Sequence, residues 1–179
     1  MADNLVLIGP MGAGKSSVAR ELSRLTRRRW VDTDQLVVRR AGRSITEIFA
    51  TEGEETFRQM ETAALTSLDG CHRLVVATGG GIVTRPENIP LLRALGCVVW
   101  LTADVDVLFE RVSRNDRRPL LQTDDPRTTL LELLERRQPL YAACAHVAVD
   151  TGTGNHAQVA ETVLGCARAF FTAVEPARA

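Results

Sequence analysis

The chain has 179 residues, 45% of them hydrophobic and 25% charged, enough apolar side chain to bury the core of one ordinary globular domain. Its 22 acidic residues cancel its 22 basic ones, so no overall field draws it to nucleic acid or an anionic membrane, and any anionic partner must be held locally. No apolar run approaches a membrane span, no basic-then-apolar leader opens the chain, and Cys71, Cys97, Cys144 and Cys166 form no Cys-x-x-Cys pair; the expectation is a soluble protein of a reducing cytoplasm.

The first apolar run, "LVLI" at 5–8, reads as a buried strand, and 15–27 has the spacing of an amphipathic helix. Between them, Gly9, four residues, then Gly14, Lys15 and Ser16 satisfy G-x-x-x-x-G-K-[ST] in the strand-to-helix setting that motif requires. Gly12, Ala13, Gly14, Lys15, Ser16 and Ser17 are therefore candidate nucleotide-binding residues, with the helix start adding partial positive charge and Ser16 able to hold magnesium. Lys15 is the one lysine among 22 basic residues, and a slim ammonium can enter such a loop where a guanidinium fork would clash.

A second strand, "RRWVDT" at 28–33, runs into Asp32-Thr33-Asp34. One carboxylate there could organise magnesium while the other accepts a proton from a substrate hydroxyl; an aspartate at this position also suits a helix N-cap. From 34 to 68 two or three helices follow in succession, and Ser44 with Glu47 makes a capping box at one start. Within them "GEETFRQME" (53–61) places Phe57, Arg58 and Glu61 on one helical face, which fits either a substrate pocket or an exposed charged helix pinned by Phe57.

The third strand, 73–81, ends in Thr78-Gly79-Gly80-Gly81, where bare backbone at a strand's carboxyl end favours a ligand site. A helix at 86–95 opening on Pro86, a strand at 96–102 and a helix at 104–114 come next. The polar stretch 113–126 reads as a long mobile loop carrying Arg114, Arg117 and Arg118, with Arg111 just before it. A helix at 126–144 opening on Pro126, a strand at 145–151 and a helix at 156–172 complete an alternation that predicts a parallel α/β sheet. His72, His146 and His156 have no metal-ligand spacing and are assigned packing or surface roles; Trp30, Trp100 and Tyr141 are assigned to the core, and Glu132, Glu135 and Arg136 to a solvated face.

Taken in order, "GPMGAGKS", "DTD", "GEETFRQME", "TGGG", "RRPLL" and "ERRQPLY" resemble shikimate kinase over about residues 5–170. The resemblance implies a P-loop, NMP-kinase-like three-layer α/β/α fold with a five-stranded parallel sheet in the order 2-3-1-4-5. It divides one kinase domain into a substrate-binding helical region at 34–61, a lid at 113–125 and a frayed tail at 173–179. The implied reaction is phosphorylation of the 3-hydroxyl of shikimate by ATP with Mg2+, a step towards chorismate and the aromatic amino acids.

By the same resemblance, Asp34 contacts and deprotonates the hydroxyl, Ser16 and Asp32 place magnesium, and Lys15 and Arg118 neutralise the moving phosphoryl. Arg58 and Arg137 grip the substrate carboxylate, Gly79, Gly80 and Gly81 line its hydroxyls, Phe49, Phe57 and Glu61 shape the pocket, and Arg111 stacks on adenine. Arg118 and Arg137 are each taken over their neighbours Arg117 and Arg136 from their offset to the following Pro-Leu. Alternatives are a related kinase acting on a gluconate-like acid and a non-catalytic nucleotide-binding regulatory protein; a nucleic-acid ATPase lacks its basic, aromatic-rich stripe. A monomer is expected, because no long apolar helix is left over once the fold is filled.

Overall fold

The structure is a computed structural model that describes residues 3–113 and 123–174. Five short strands, β1 (Asn4–Ile8), β2 (Arg29–Asp32), β3 (Leu74–Ala77), β4 (Gly96–Thr102) and β5 (Val147–Asp150), form one sheet in the order β2-β3-β1-β4-β5. Every pairing is parallel, with Leu5 beside Val75 on one side and Cys97 on the other. This is the sheet order that the resemblance implied.

Among the described residues seven helices cover both faces: α1 (Lys15–Thr26), α2 (Thr33–Ala41), α3 (Ile45–Thr66), α4 (Asn88–Leu95), α5 (Val105–Ser113), α6 (Pro126–Cys144) and α7 (His156–Val174). The strand period of two sorts the core. Leu5, Leu7, Val75 and Val99 pack with Val18 and Leu22 of α1 and Val159 and Val163 of α7. Val6, Ile8, Val76 and Val98 face the other way, against Leu65 of α3, Leu92 and Leu95 of α4 and Tyr141 of α6. Both faces being covered explains why β1 and β3 read as unbroken apolar runs.

The helical stretch after β2 resolves into α2 and α3, and the capping box at Ser44 and Glu47 is present. Gly53 interrupts α3 with φ 81° and ψ 173°, so its two halves are separate helical pieces joined at a kink. At three places the structure departs from the sequence reading. The third strand stops at Ala77, not 81: β1 ends at Ile8, and after Thr78 bonds to the Leu7 carbonyl the three glycines have no strand left to pair with. Pro86 lies in a turn two residues before α4, whose start is fixed by Asn88 donating to the Ile82 carbonyl. The last helix runs through Val174, past residue 172. Pro126 does stand at the start of α6, capped by the Asp125 side chain. No helix among the described residues is long and apolar enough to cross a membrane.

Candidate active site

The site lies along the carboxyl edge of the sheet, where β1, β2 and β3 release their chains. From β1 the loop 9–14 curls back to α1, whose N-cap Gly14 has φ 81°, a left-handed conformation that glycine adopts without steric cost. Lys15 Nζ reaches back across the loop and donates to the carbonyls of Gly9 and Pro10, each at 2.7 Å. Beside it Ser16 Oγ donates to Asp32 Oδ2 at 2.7 Å. Asp32 Oδ1 meanwhile accepts from the backbone N–H of Asp34 (3.0 Å) and Gln35 (3.3 Å), capping α2. The two readings left open for the first aspartate are thus compatible: one oxygen caps the helix and the other faces the phosphate loop.

These groups line a cavity of about 700 Å³, together with Asp34, Thr78, Gly80 and Arg111. On its far wall Arg111 of α5 donates to Thr151 Oγ1 (3.1 Å) and to the Thr151 carbonyl (2.7 Å), tying the loop after β5 to α5. Gly154, Asn155 and His156 continue that wall, and His156 Nε2 lies 3.4 Å from where a Cβ on Gly14 would stand. The sequence assigns His156 only a packing or surface role; the packing of α7 on α1, a contact between distant elements, sets it beside the loop. A hydroxyl and a carboxylate side by side fit magnesium, a hard cation that takes few protein oxygens and completes its shell with phosphate and water. Among the described residues no cluster of three or more His, Cys, Asp or Glu side chains could hold a metal unaided.

The other half of the site is built by α3, α6 and the glycine loop. Arg58 and Glu61, one helical turn apart, are both buried and joined by a short ion pair. Glu54 closes on the same guanidinium, its Oε1 accepting from Nη2 (2.8 Å) and Nε (3.2 Å). Below, the Phe57 ring lies 5.3 Å from the Arg58 guanidinium carbon and 4.9 Å from the Phe49 ring. Burial pushes the Glu61 carboxyl up to about 7, opposed by Arg58 and Arg137 and reinforced by the nearby Asp34 carboxylate.

Gly79 and Gly81 explain why bare backbone stands here. A Cβ on Gly79 would fall 2.2 Å from Glu61 Oε1 and 2.5 Å from Asp34 Oδ1, and one on Gly81 would fall 2.1 Å from Arg58 Nη1. Arg137 is buried on α6, whereas its neighbour Arg136 points to solvent against Glu132. One turn further on, the buried Tyr141 stacks on Trp100 and donates a short hydrogen bond to the Gly80 carbonyl, a link from α6 to the glycine loop that its reading as plain packing missed. Asp34, Arg58, Glu61, Arg137 and the three glycines therefore converge. Arg114, Arg117 and Arg118 lie outside the described residues.

A phosphate loop, an aspartate at the end of β2 and a buried arginine-carboxylate pocket on a 2-3-1-4-5 sheet define a P-loop phosphotransferase of the NMP-kinase type. Comparison narrows the class. The sequence model of the family described as "Shikimate kinase" matches residues 11–168. Curated shikimate kinases of Halorhodospira halophila and Acinetobacter baylyi are 46% and 43% identical to the chain, covering 89% and 90% of it and 90% and 89% of themselves. The crystal structure of the Acinetobacter baumannii shikimate kinase in complex with shikimate superposes with a TM-score of 0.91 at 38% identity, over 98% of this chain and 97% of that one. The chain belongs to the shikimate kinase family.

Proposed function

We propose that the chain transfers the γ-phosphoryl group of ATP to the 3-hydroxyl of shikimate, releasing ADP and shikimate 3-phosphate. The observation that carries this reading is the glycine loop: Asp34 and Glu61 crowd Gly79, Arg58 crowds Gly81, and Gly80 lines the phosphate cavity. A ring laid on that loop meets a base at one edge and a cation at the other. Shikimate, with one carboxylate and three hydroxyls, matches both.

In this mechanism Arg58 and Arg137 hold the acceptor carboxylate and so aim the hydroxyl at Asp34. Asp34 accepts the hydroxyl proton as the oxygen attacks the γ-phosphorus, and the bond to the ADP oxygen breaks in line. Lys15, fixed inside the loop, balances the charge spreading over the transferred group, and Arg118 adds to it from the lid. Ser16 and Asp32 hold Mg2+, which when bound shields the nucleotide phosphates. Arg111 and His156 line the nucleotide's far end. A monomer fits the surface, since Leu25 and Leu131 are the only exposed large hydrophobics among the described residues, and the four free thiols suit the cytoplasm.

The test is ADP release from ATP and magnesium with shikimate, set against quinate, gluconate and no acceptor, in the parent and in Asp34→Asn. Release that requires shikimate, with Asp34→Asn binding ATP normally yet turning over at least about 100-fold more slowly, is expected. ATP binding without acceptor-dependent release would favour the regulatory alternative, and release with gluconate would move the acceptor.

A further inference from the structure

We propose that Glu54 is an internal stand-in for the acceptor's carboxylate: it occupies Arg58 in the empty site and must be displaced for the substrate to bind. The inference rests on the reading above that Arg58 grips the acceptor. Three features of Glu54 set it apart from a supporting partner. It engages the Nε and Nη2 edge of Arg58 with a single shared oxygen, Oε1, at 3.2 and 2.8 Å, so the two-oxygen fork that a carboxylate can make on that edge is not made. Its side chain is 49% exposed while that of Arg58 is 7% exposed, so it can leave into water at little cost whereas the guanidinium stays put. It also comes directly after Gly53, where α3 is broken, at the frayable start of the helical piece whose interior carries Arg58 and Glu61.

Pairing gives the displacement its direction. With Glu54 and Glu61 both on Arg58, the donors of that guanidinium are already engaged, and a carboxylate arriving there gains a full pairing only when one of them leaves. Glu61 is buried and held from below; Glu54 is the one with an exit. The neighbouring acids do not share its role, since Glu52 pairs with Arg43 and Glu55 with Arg85 on the outer surface. Glu54 thus keeps the buried guanidinium paired when the site is empty and lowers affinity by competing. It also selects for acids that can form the complete fork.

Isothermal titration of shikimate and of its uncharged methyl ester into the parent and Glu54→Gln tests this. Because the contact is half in solvent, we expect the dissociation constant for shikimate to fall about two- to five-fold in Glu54→Gln. Binding of the ester and the KM for ATP should hold steady. Glu54→Asp, which keeps the charge but shortens the reach, should also bind shikimate more tightly than the parent. If the parent binds shikimate and Glu54→Gln binds it equally or less well, Glu54 supports Arg58 and does not compete, and the inference falls alone. If acid and ester gain equally, the effect is not an exchange of carboxylates and the inference again falls. A parent that does not bind shikimate overturns the acceptor assignment and this inference with it.

Discussion

Glu61 shows how one residue can carry a cost that the site requires. Its carboxyl is 1% exposed, and burial lifts it from 4.5 to about 7 in spite of Arg58. The folded state therefore holds a proton that the unfolded chain gives up at lower pH. A group raised in this way favours folding below about 4.5, and that contribution is lost as pH climbs towards about 7. In Glu61→Gln the dependence disappears. Denaturant unfolding of both proteins should show the parent losing stability relative to the variant as pH rises from 4.5 to 7, with a slope of at most about 1.4 kcal/mol per pH unit, and no further change above. A flat difference across that window would mean Glu61 is ionised throughout. At the same scale the structure sets neighbours apart: Arg137, favoured by its offset to Pro-Leu, is buried beside Tyr141 and Glu61 while Arg136 pairs with Glu132 in solvent.

Among the elements, the glycine loop is the joint of the site, because it touches all three walls. It follows a strand that ends where its partner ends, it lies against the tips of Asp34, Glu61 and Arg58, and Tyr141 clasps it from α6. The consequence of filling it depends on what is struck. At Gly81 a methyl group meets the guanidinium of Arg58, not backbone, so the clash forces that side chain from its place while the main chain keeps its course. Gly81→Ala should thus melt close to the parent and bind ATP with unchanged affinity, yet raise the KM for shikimate at least about ten-fold by misplacing Arg58. Equal losses of melting temperature and of ATP affinity would show the glycine to be structural. The break at Gly53 has the complementary role within α3: it makes Glu54 the first residue of a second helical piece, with Arg58 one turn further into that same piece.

Across the whole molecule, the far edge of the sheet is pinned by a buried polar side chain. Asn4 is fully buried at the start of β1; its Nδ2 donates to the carbonyls of Cys71 (2.7 Å) and Leu95 (2.9 Å), and its Oδ1 accepts from the Leu74 N–H (2.8 Å). It thereby aligns β1, β3 and the end of α4 on the edge opposite the site. Asn4→Ala would strand three backbone groups, costing at least about 2 kcal/mol. Calorimetry should record a drop in Tm of roughly 4–8 °C, and kcat at a temperature where both proteins are folded should be unchanged. A lowered kcat would mean that the pin also sets the geometry of the opposite edge. Local signals in the sequence determined much of this protein. Continuous apolarity marked strands covered on both faces, the Gly-Lys-Ser pattern marked the phosphate loop, and Ser44 with Glu47 marked a helix start, because each depends on residues adjacent in the chain or one turn apart. Contacts across long separations belonged to the tertiary structure: β3 ending with β1, His156 lying against Gly14, Tyr141 reaching Gly80, and Glu61 buried between Arg58 and Asp34. Burial and charge pairing depend on which elements the folded chain lays side by side, and no local pattern encodes that.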